Sequence, residues 1–329
     1  MSDHDVIGIG NAIVDIIARC DDDVLTKLNL PKGNMQLISA EEADRLYNGM
    51  GPAVEISGGS AANTCAGIAA LGGKSSFIGS VKDDQFGKVF HHDLNAIGVT
   101  FNTGFATGDT PTARCLVFVT PDGERTMNTY LGACAELGPE DLDEDMIRGA
   151  KISYLEGYLF DPPRAKEAFM KTAAIAKQAG NRVALTLSDA FCVERHREDF
   201  LNFIRRDVDI LFANEDEIKA LYQVDQFEDA ADNARHDVEL AALTQGIDGS
   251  FIIHGNAATA VPSFRVESVM DTTGAGDLFA AGFLYGFTQG KSLDICGSLG
   301  ALAAAEVISH IGARPEANLI EISKANNLL

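Results

Sequence analysis

Short apolar runs of four or five residues recur along the chain, most followed by a longer stretch with helical spacing, and this alternation restricts the fold more than any other feature. Ile152 to Leu155 precedes Pro163 to Ala179, Val183 to Leu187 precedes Glu194 to Ile204, and Ile210 to Ala213 precedes Glu215 to Tyr222. A second helical stretch, Phe227 to Ala234, leads into Leu240 to Leu243 and then Phe251 to His254. Upstream, the same rhythm gives Val6 to Ile9, then Val54 to Ser57 with Ser60 to Leu71, and Phe77 to Val81 with Gln85 to Ala96. Two apolar helices, Ala275 to Thr288 and Leu293 to Ser309, come last. Strands apolar at every position are covered on both faces, the condition of a parallel sheet in an α/β protein. The expected architecture is an α/β fold, a three-layer α/β/α sandwich around a mostly parallel sheet, with ligands at the carboxyl ends of its strands.

Two stretches break the rhythm. From Arg19 to Met50 the chain is polar and interrupted by Asp21-Asp22-Asp23, Asn29, Pro31 and Gly33, with helical spacing only at Ala40 to Tyr47. Between Gly98 and Leu131, the runs Thr112 to Thr120 and Arg125 to Leu131 flank Pro121-Asp122-Gly123, a strong hairpin pattern. Residues 15–50 and 98–131 are therefore expected to form a small second sheet, and residues 1–14, 51–97 and 132–329 the large α/β unit.

The 329 residues, 46% of them hydrophobic, suffice for one large core and an appendage. A formal net charge of −22 repels nucleic acid and anionic membranes alike, so neither is an expected partner. An anionic small molecule must then be held by backbone N–H groups, a metal or a few basic side chains. Cysteines at 20, 65, 115, 134, 192 and 296 form no C-x-x-C pair and no metal-finger spacing, which fits reduced thiols. The acidic start MSDHDVIGIG is unlike a signal peptide, no apolar stretch reaches spanning length, and the expected compartment is the cytoplasm.

Against this background the stretch Asp271-Thr272-Thr273-Gly274-Ala275-Gly276-Asp277 reads as a helix start built for an anion. The first turn of a helix carries unpaired N–H groups and the positive end of its dipole, and glycines let a phosphate approach them. Asp277 would repel that anion unless it caps the helix or takes a proton from a substrate hydroxyl. Two other glycine patterns fail. Gly73-Lys74-Ser75 ends like a P-loop but has Ile68 where the first glycine belongs, and it follows a helix. Gly8 and Gly10 begin a dinucleotide fingerprint whose third glycine is Ile13.

Four motifs stand in a fixed order at strand ends: Gly58-Gly59-Ser60 with Asn63, Asn214 with Glu217, Thr244-Gln245-Gly246, and Asp271 to Asp277. In that order the chain resembles the ribokinase, or PfkB, family of carbohydrate and nucleoside kinases, from Gly10-Asn11 to about Pro315. The resemblance implies a ribokinase-like fold whose small sheet is a lid hinged at Gly58-Gly59, and phosphoryl transfer from ATP with Mg²⁺ to a hydroxyl. It implies Asp277 as the base, with the N–H groups of Gly274, Ala275 and Gly276 stabilising the transferring phosphoryl group. Asn214 and Glu217 would hold Mg²⁺ through water, although the pair also reads as a helix cap. Thr244 and Gly246 would lie beside the nucleotide. Asp271 and the loop His310-Ile311-Gly312-Ala313 would bind a monovalent cation such as K⁺. Asp15, Gly59 and Asn63 would grip the acceptor. Family members of this kind occur as monomers or as lid-swapped homodimers.

For the acceptor, Gly10 to Ile16, Pro111-Thr112 with Ala113-Arg114-Cys115, Tyr154 to Phe160, and Leu185 to Phe191 resemble the adenosine kinase branch. Tyr158 and Phe191 are the candidates for an aromatic wall against a purine. Glu156 departs from that branch and resembles sugar kinases, where a carboxylate there binds a ring hydroxyl. The expectation is phosphorylation of adenosine at its primary hydroxyl. A ribokinase-type sugar kinase acting on ribose, fructose or 2-keto-3-deoxygluconate is the alternative, and a non-catalytic nucleotide- or sugar-binding sensor stands behind both.

Overall fold

The computed structural model describes residues 4–329. In chain order its strands are β1 (His4–Ile9), β2 (Ile13–Arg19), β3 (Met35–Leu37), β4 (Ala53–Gly58), β5 (Ser75–Ile78), β6 (Ala113–Val119) and β7 (Arg125–Tyr130). There follow β8 (Ala150–Glu156), β9 (Arg182–Thr186), β10 (Ile210–Asn214), β11 (Leu240–Thr244), β12 (Ser250–His254) and β13 (Ala257–Val261). Eight strands form one sheet in the order β13-β12-β11-β10-β9-β8-β1-β5, and five form another in the order β3-β7-β6-β2-β4. From β5 to β11 the neighbours in the large sheet are parallel; β12 and β13 add an antiparallel edge.

Alternate residues of the large sheet feed two separate cores. Along β10, Leu211 and Ala213 join Ile7, Leu155 and Leu185 against the helices Pro163–Gln178 and Ala190–Asp207. Ile210 and Phe212 join Val6, Tyr154 and Ala184 against the helices Ser60–Ala70, Ala275–Thr288 and Leu293–Val307. Each such buried Leu, Ile or Phe contributes about 1.5–3 kcal/mol, which is why these strands tolerate no polar face. The result is the expected three-layer α/β/α sandwich.

The strand β4 lies elsewhere than its sequence position suggested. Expected with the large unit, it pairs antiparallel with β2 from Ile13↔Gly58 to Ala18↔Ala53 and so belongs to the small sheet. Several further elements had no clear pattern, among them the helices Asp22–Leu28, Glu144–Gly149 and Leu319–Ala325, β3, and β13, exposed at four of its five residues.

The chain crosses between the sheets at tightly held points. Gly59 has φ +94°, and a Cβ there would lie 2.1 Å from the carbonyl oxygen of Asn11. Helix Gln85–Ala96 anchors two strands of the small sheet. Its cap Asp84 accepts from Thr112 N at 2.9 Å and Thr112 Oγ1 at 2.7 Å, just before β6, and Asp93 accepts from Ser57 N at 2.9 Å in β4. All six cysteines are free thiols. Among the described residues no helix is long and apolar enough to cross a membrane.

Candidate active site

Helix Ala275–Thr288 begins at Gly274, whose left-handed φ of +79° turns the chain into the first turn. A Cβ on Gly274 would meet Cα of Ala313 at 2.9 Å, so only glycine fits there. This start places Asp277 at the wall of a cavity of about 1370 Å³ that is also lined by Gly274, Ala275 and Gly276. Such a volume exceeds that of an ordinary single-ligand pocket, about 300–1,000 Å³, and leaves room for two substrates. Asp277 Oδ1 accepts from Ser60 Oγ at 2.6 Å and Oδ2 from Asn63 Nδ2 at 3.0 Å. Burial raises its proton affinity, while those two bonds and the nearby Arg314 guanidinium pull it down. A carboxylate aimed this way at a helix N-terminus, with its lone pairs only partly used, is suited to accept one more proton.

Asp15 and Glu156, both assigned to the acceptor, have opposite environments. Asp15, on β2, has no side-chain hydrogen bond among the described residues and sits over Gly58, where a Cβ would come within 2.3 Å of its Oδ2. Burial, opposed by the fields of Arg125 and Arg314, raises its pKa to about 6. Gly58 itself does not line the cavity; it makes room for Asp15. Glu156 is 1% exposed and already engaged. Its Oε1 accepts from Asn11 Nδ2 at 2.7 Å, and its Oε2 from Ala61 N at 2.9 Å and Asn11 N at 3.3 Å. Despite these donors, burial carries its pKa to about 7. Glu156 also lines the cavity, and these bonds tie β8 to the first turn of helix Ser60–Ala70. Asn63, Gly59, Tyr158 and Phe191 all line the cavity, Tyr158 half-buried and Phe191 71% exposed.

At the carboxyl ends of β10 and β11, Asn214 and Glu217 form a reciprocal capping box. Asn214 Oδ1 accepts from Glu217 N at 2.8 Å, and Glu217 accepts from Asn214 N at 2.9 Å and Nδ2 at 2.8 Å. Burial raises Glu217 to about 7. Both line the cavity, as does Thr244, the register partner of Asn214; Gly246 does not. Asp271, expected beside a monovalent cation with the loop 310–313, is bonded to that loop and to the small sheet. Its carboxylate receives Arg125 Nη2 at 3.1 Å, Thr273 N at 3.0 Å and Gly312 N at 2.9 Å, so a guanidinium already meets its charge.

Comparison with known proteins places this geometry. The sequence profile of the pfkB family carbohydrate kinases matches residues 34–318. The chain belongs to this family. A probable sugar kinase from Rhizobium etli is 53% identical, with a TM-score of 0.93 and full coverage of both chains. The structure of an adenosine kinase from Sinorhizobium meliloti is 52% identical, with a TM-score of 0.92 over 98% of this chain and 99% of that one. An adenosine kinase from Saccharomyces cerevisiae is 27% identical across 97% of this chain and 99% of its own length. As a PfkB kinase the protein transfers a phosphoryl group from ATP to an alcohol group.

The ATP of a PfkB kinase brings magnesium, and the residues present suit it. Glu217 is a buried carboxylate on the cavity wall with lone pairs beyond those taken by Asn214, and its raised pKa marks an anion short of compensating charge.

Two arginines complete the site without having been singled out from the sequence. Arg125, on β7, reaches from the small sheet to Asp271 and to Thr273 Oγ1 of the anion-binding turn. Its signal was the alternation of the hairpin, since Arg125, Met127 and Thr129 share one face and all line the cavity. Arg314 donates through Nε to Asn63 Oδ1 at 2.8 Å and through Nη2 to Ser57 O at 2.9 Å and Ser57 Oγ at 3.2 Å. It lies 251 residues from Asn63, and no local pattern marked it.

Proposed function

We propose that this PfkB kinase phosphorylates the primary hydroxyl of adenosine, converting adenosine and ATP to AMP and ADP. The observation that carries the reading is the apolar inner face of the small sheet. Ile13, Ile17, Val117 and Met127 line the same cavity as Tyr158 and Phe191, next to the polar group of Asp15 and Asn63. A ribose finds hydrogen-bond partners in that polar group, and a flat base finds area on the apolar walls. A free sugar, with hydroxyls around its whole rim, would leave them unpaired there. The name of the Sinorhizobium meliloti relative agrees with this reading. The sugar-kinase reading drew on Glu156, which lines the same cavity and accepts from Asn11 and Ala61.

In this reaction the acceptor oxygen attacks the γ-phosphorus, the bond to the β–γ bridging oxygen of ATP breaks, and the hydroxyl proton passes to Asp277. The N–H groups of Gly274, Ala275 and Gly276 stabilise charge on the phosphoryl oxygens as it moves. Glu217 and Asn214 would hold magnesium through water beside the nucleotide, and it would supply positive charge against the phosphates. Arg125 adds a positive charge to the anion-binding turn from the small sheet, and closing that sheet excludes water that would otherwise hydrolyse ATP.

Initial rates of ADP formation across adenosine, other nucleosides, ribose, fructose and 2-keto-3-deoxygluconate test the proposal. The expected kcat/KM on adenosine exceeds that on any free sugar by at least about 100-fold, the scale on which a site discriminates when polar groups would be left unpaired. Turnover of a free sugar with none on adenosine would overturn it.

A further inference from the structure

Arg314 lies in the loop after helix Leu293–Val307, takes no part in the steps above, and yet holds two of the elements on which those steps depend. An asparagine amide has one donating and one accepting end, and a guanidinium only donates. Because Arg314 Nε takes Asn63 Oδ1 at 2.8 Å, the Asn63 amide must present its NH₂ end to Asp277 Oδ2, 3.0 Å away. The other arm of the fork binds the carbonyl and hydroxyl oxygens of Ser57, whose N–H is held by Asp93, one residue before the crossing glycines. The loop bearing Arg314 is itself pinned: Glu306 Oε1 accepts from Glu316 N at 2.9 Å and Ala317 N at 2.7 Å, and Gly312 N binds Asp271.

We infer that Arg314 is a positioning residue for Asp277, acting through the Asn63 amide and coupling the base to the hinge of the small sheet. The inference rests on the kinase reading of Asp277. A fixed guanidinium does two things here that a neutral side chain does not. It selects the Asn63 rotamer that donates to the base, and its charge favours the ionised carboxylate. Burial lowers the Arg314 pKa to about 10, still high enough to keep it charged through the working range. The other charged or titratable groups facing the pair are Asp15 on β2, Asp93 on helix Gln85–Ala96, Cys65 on helix Ser60–Ala70, Tyr154 and Glu156 on β8, Tyr158 just after β8, and Glu217 after β10. Burial raises the proton affinity of Asp277 and the Arg314 charge lowers it, while ionised Asp277 in turn raises the pKa of Asp15, Glu156 and Glu217. Arg314 is thus the positive group that holds the base in its working form.

The test compares wild type, Arg314→Ala and Arg314→Lys, each also combined with Asn63→Ala, by kcat, KM for both substrates and the pH profile of kcat/KM. For Arg314→Ala the expected results are a kcat lower by roughly 10–100-fold, a KM for ATP within about twofold, and an acidic limb moved up by roughly 0.5–1 pH unit. Arg314→Lys keeps the charge but not the fork, so its acidic limb stays in place while part of the kcat loss remains. In the Asn63→Ala background, removing Arg314 costs less than about twofold, because the two act as one unit. Losses that multiply independently, or an acidic limb that does not move in Arg314→Ala, overturn the inference. Should Arg314→Ala fail to fold, Arg314→Lys carries the same cycle with Asn63→Ala. A ¹³C-carboxyl titration of Asp277, assigned by its loss in Asp277→Asn, reads the base without any acceptor. It separates the two readings: a wild type inert towards every acceptor tested sinks the adenosine proposal alone, and an unmoved Asp277 titration in Arg314→Ala sinks this one alone.

Discussion

At the helix start, Asp277, Asn63 and Arg314 are each held by two protein partners. Across the cavity, the small sheet offers Ile17, Val117 and Met127 and leaves Met35, Leu37 and Val54 between 50% and 64% exposed. The contrast reflects what each wall must do. Phosphoryl transfer depends on sub-ångström alignment and on charge placed in advance, so its groups are locked by directional bonds. Accepting a base requires area and the exclusion of water, which non-directional apolar contact supplies. Arg125 is the exception on the small sheet, and it is the point where the sheet touches the anion-binding turn.

Removing the base from the locked wall should have the largest effect. Asp277→Asn is expected to lower kcat by roughly 10²–10⁴-fold, the usual scale for a general base, with acceptor affinity by calorimetry nearly unchanged. Undiminished turnover would remove the role assigned to Asp277. Next comes the link between the walls. Arg125→Ala leaves Asp271, with its side chain 3% exposed, without its cation. Breaking a buried pair in this way should destabilise by about 3 kcal/mol, seen as a lower Tm, and should slow turnover with the acceptor KM less affected. An unaltered Tm would mean that the two walls are not tied through this pair. The smallest effect is a titration. In the acceptor-binding role proposed for it, ionised Asp15 accepts from substrate hydroxyls, so as pH falls through about 6 the acceptor KM should rise while the KM for ATP holds. Asp15→Asn should abolish that dependence, and a limb that persists in the variant would assign it to another carboxylate.

The locked wall is largely legible in the order of its residues. Helix Ala275–Thr288 begins where its glycine turn predicts, and helix Glu215–Tyr222 runs over the predicted residues because Asn214 and Glu217 form a capping box within four residues of sequence. Such signals are local, and local backbone chemistry is enough to set them. The small sheet is harder to read. Its hairpin is plain from Pro121-Asp122-Gly123, yet β4 looks like any short apolar run, and only its pairing with β2 assigns it. Edge strand β13, exposed along most of its length, has no apolar pattern to reveal it.

Residue types and spacing were sufficient for the layered fold and for the helix start with its carboxylate, because each follows from periodicity or from a few consecutive residues, and the class of reaction came from the resemblance of the ordered motifs to a kinase family. Three matters depended on the folded chain. Glu156 proved to be a buried tie, Asp271 the partner of Arg125, and Arg314 the residue that orients Asn63. Each is a choice of partner made across 95 to 251 residues of sequence. A side chain's type states what it can donate, accept or neutralise, but which group it meets is decided only when distant elements pack together and burial makes an unmet polar group costly.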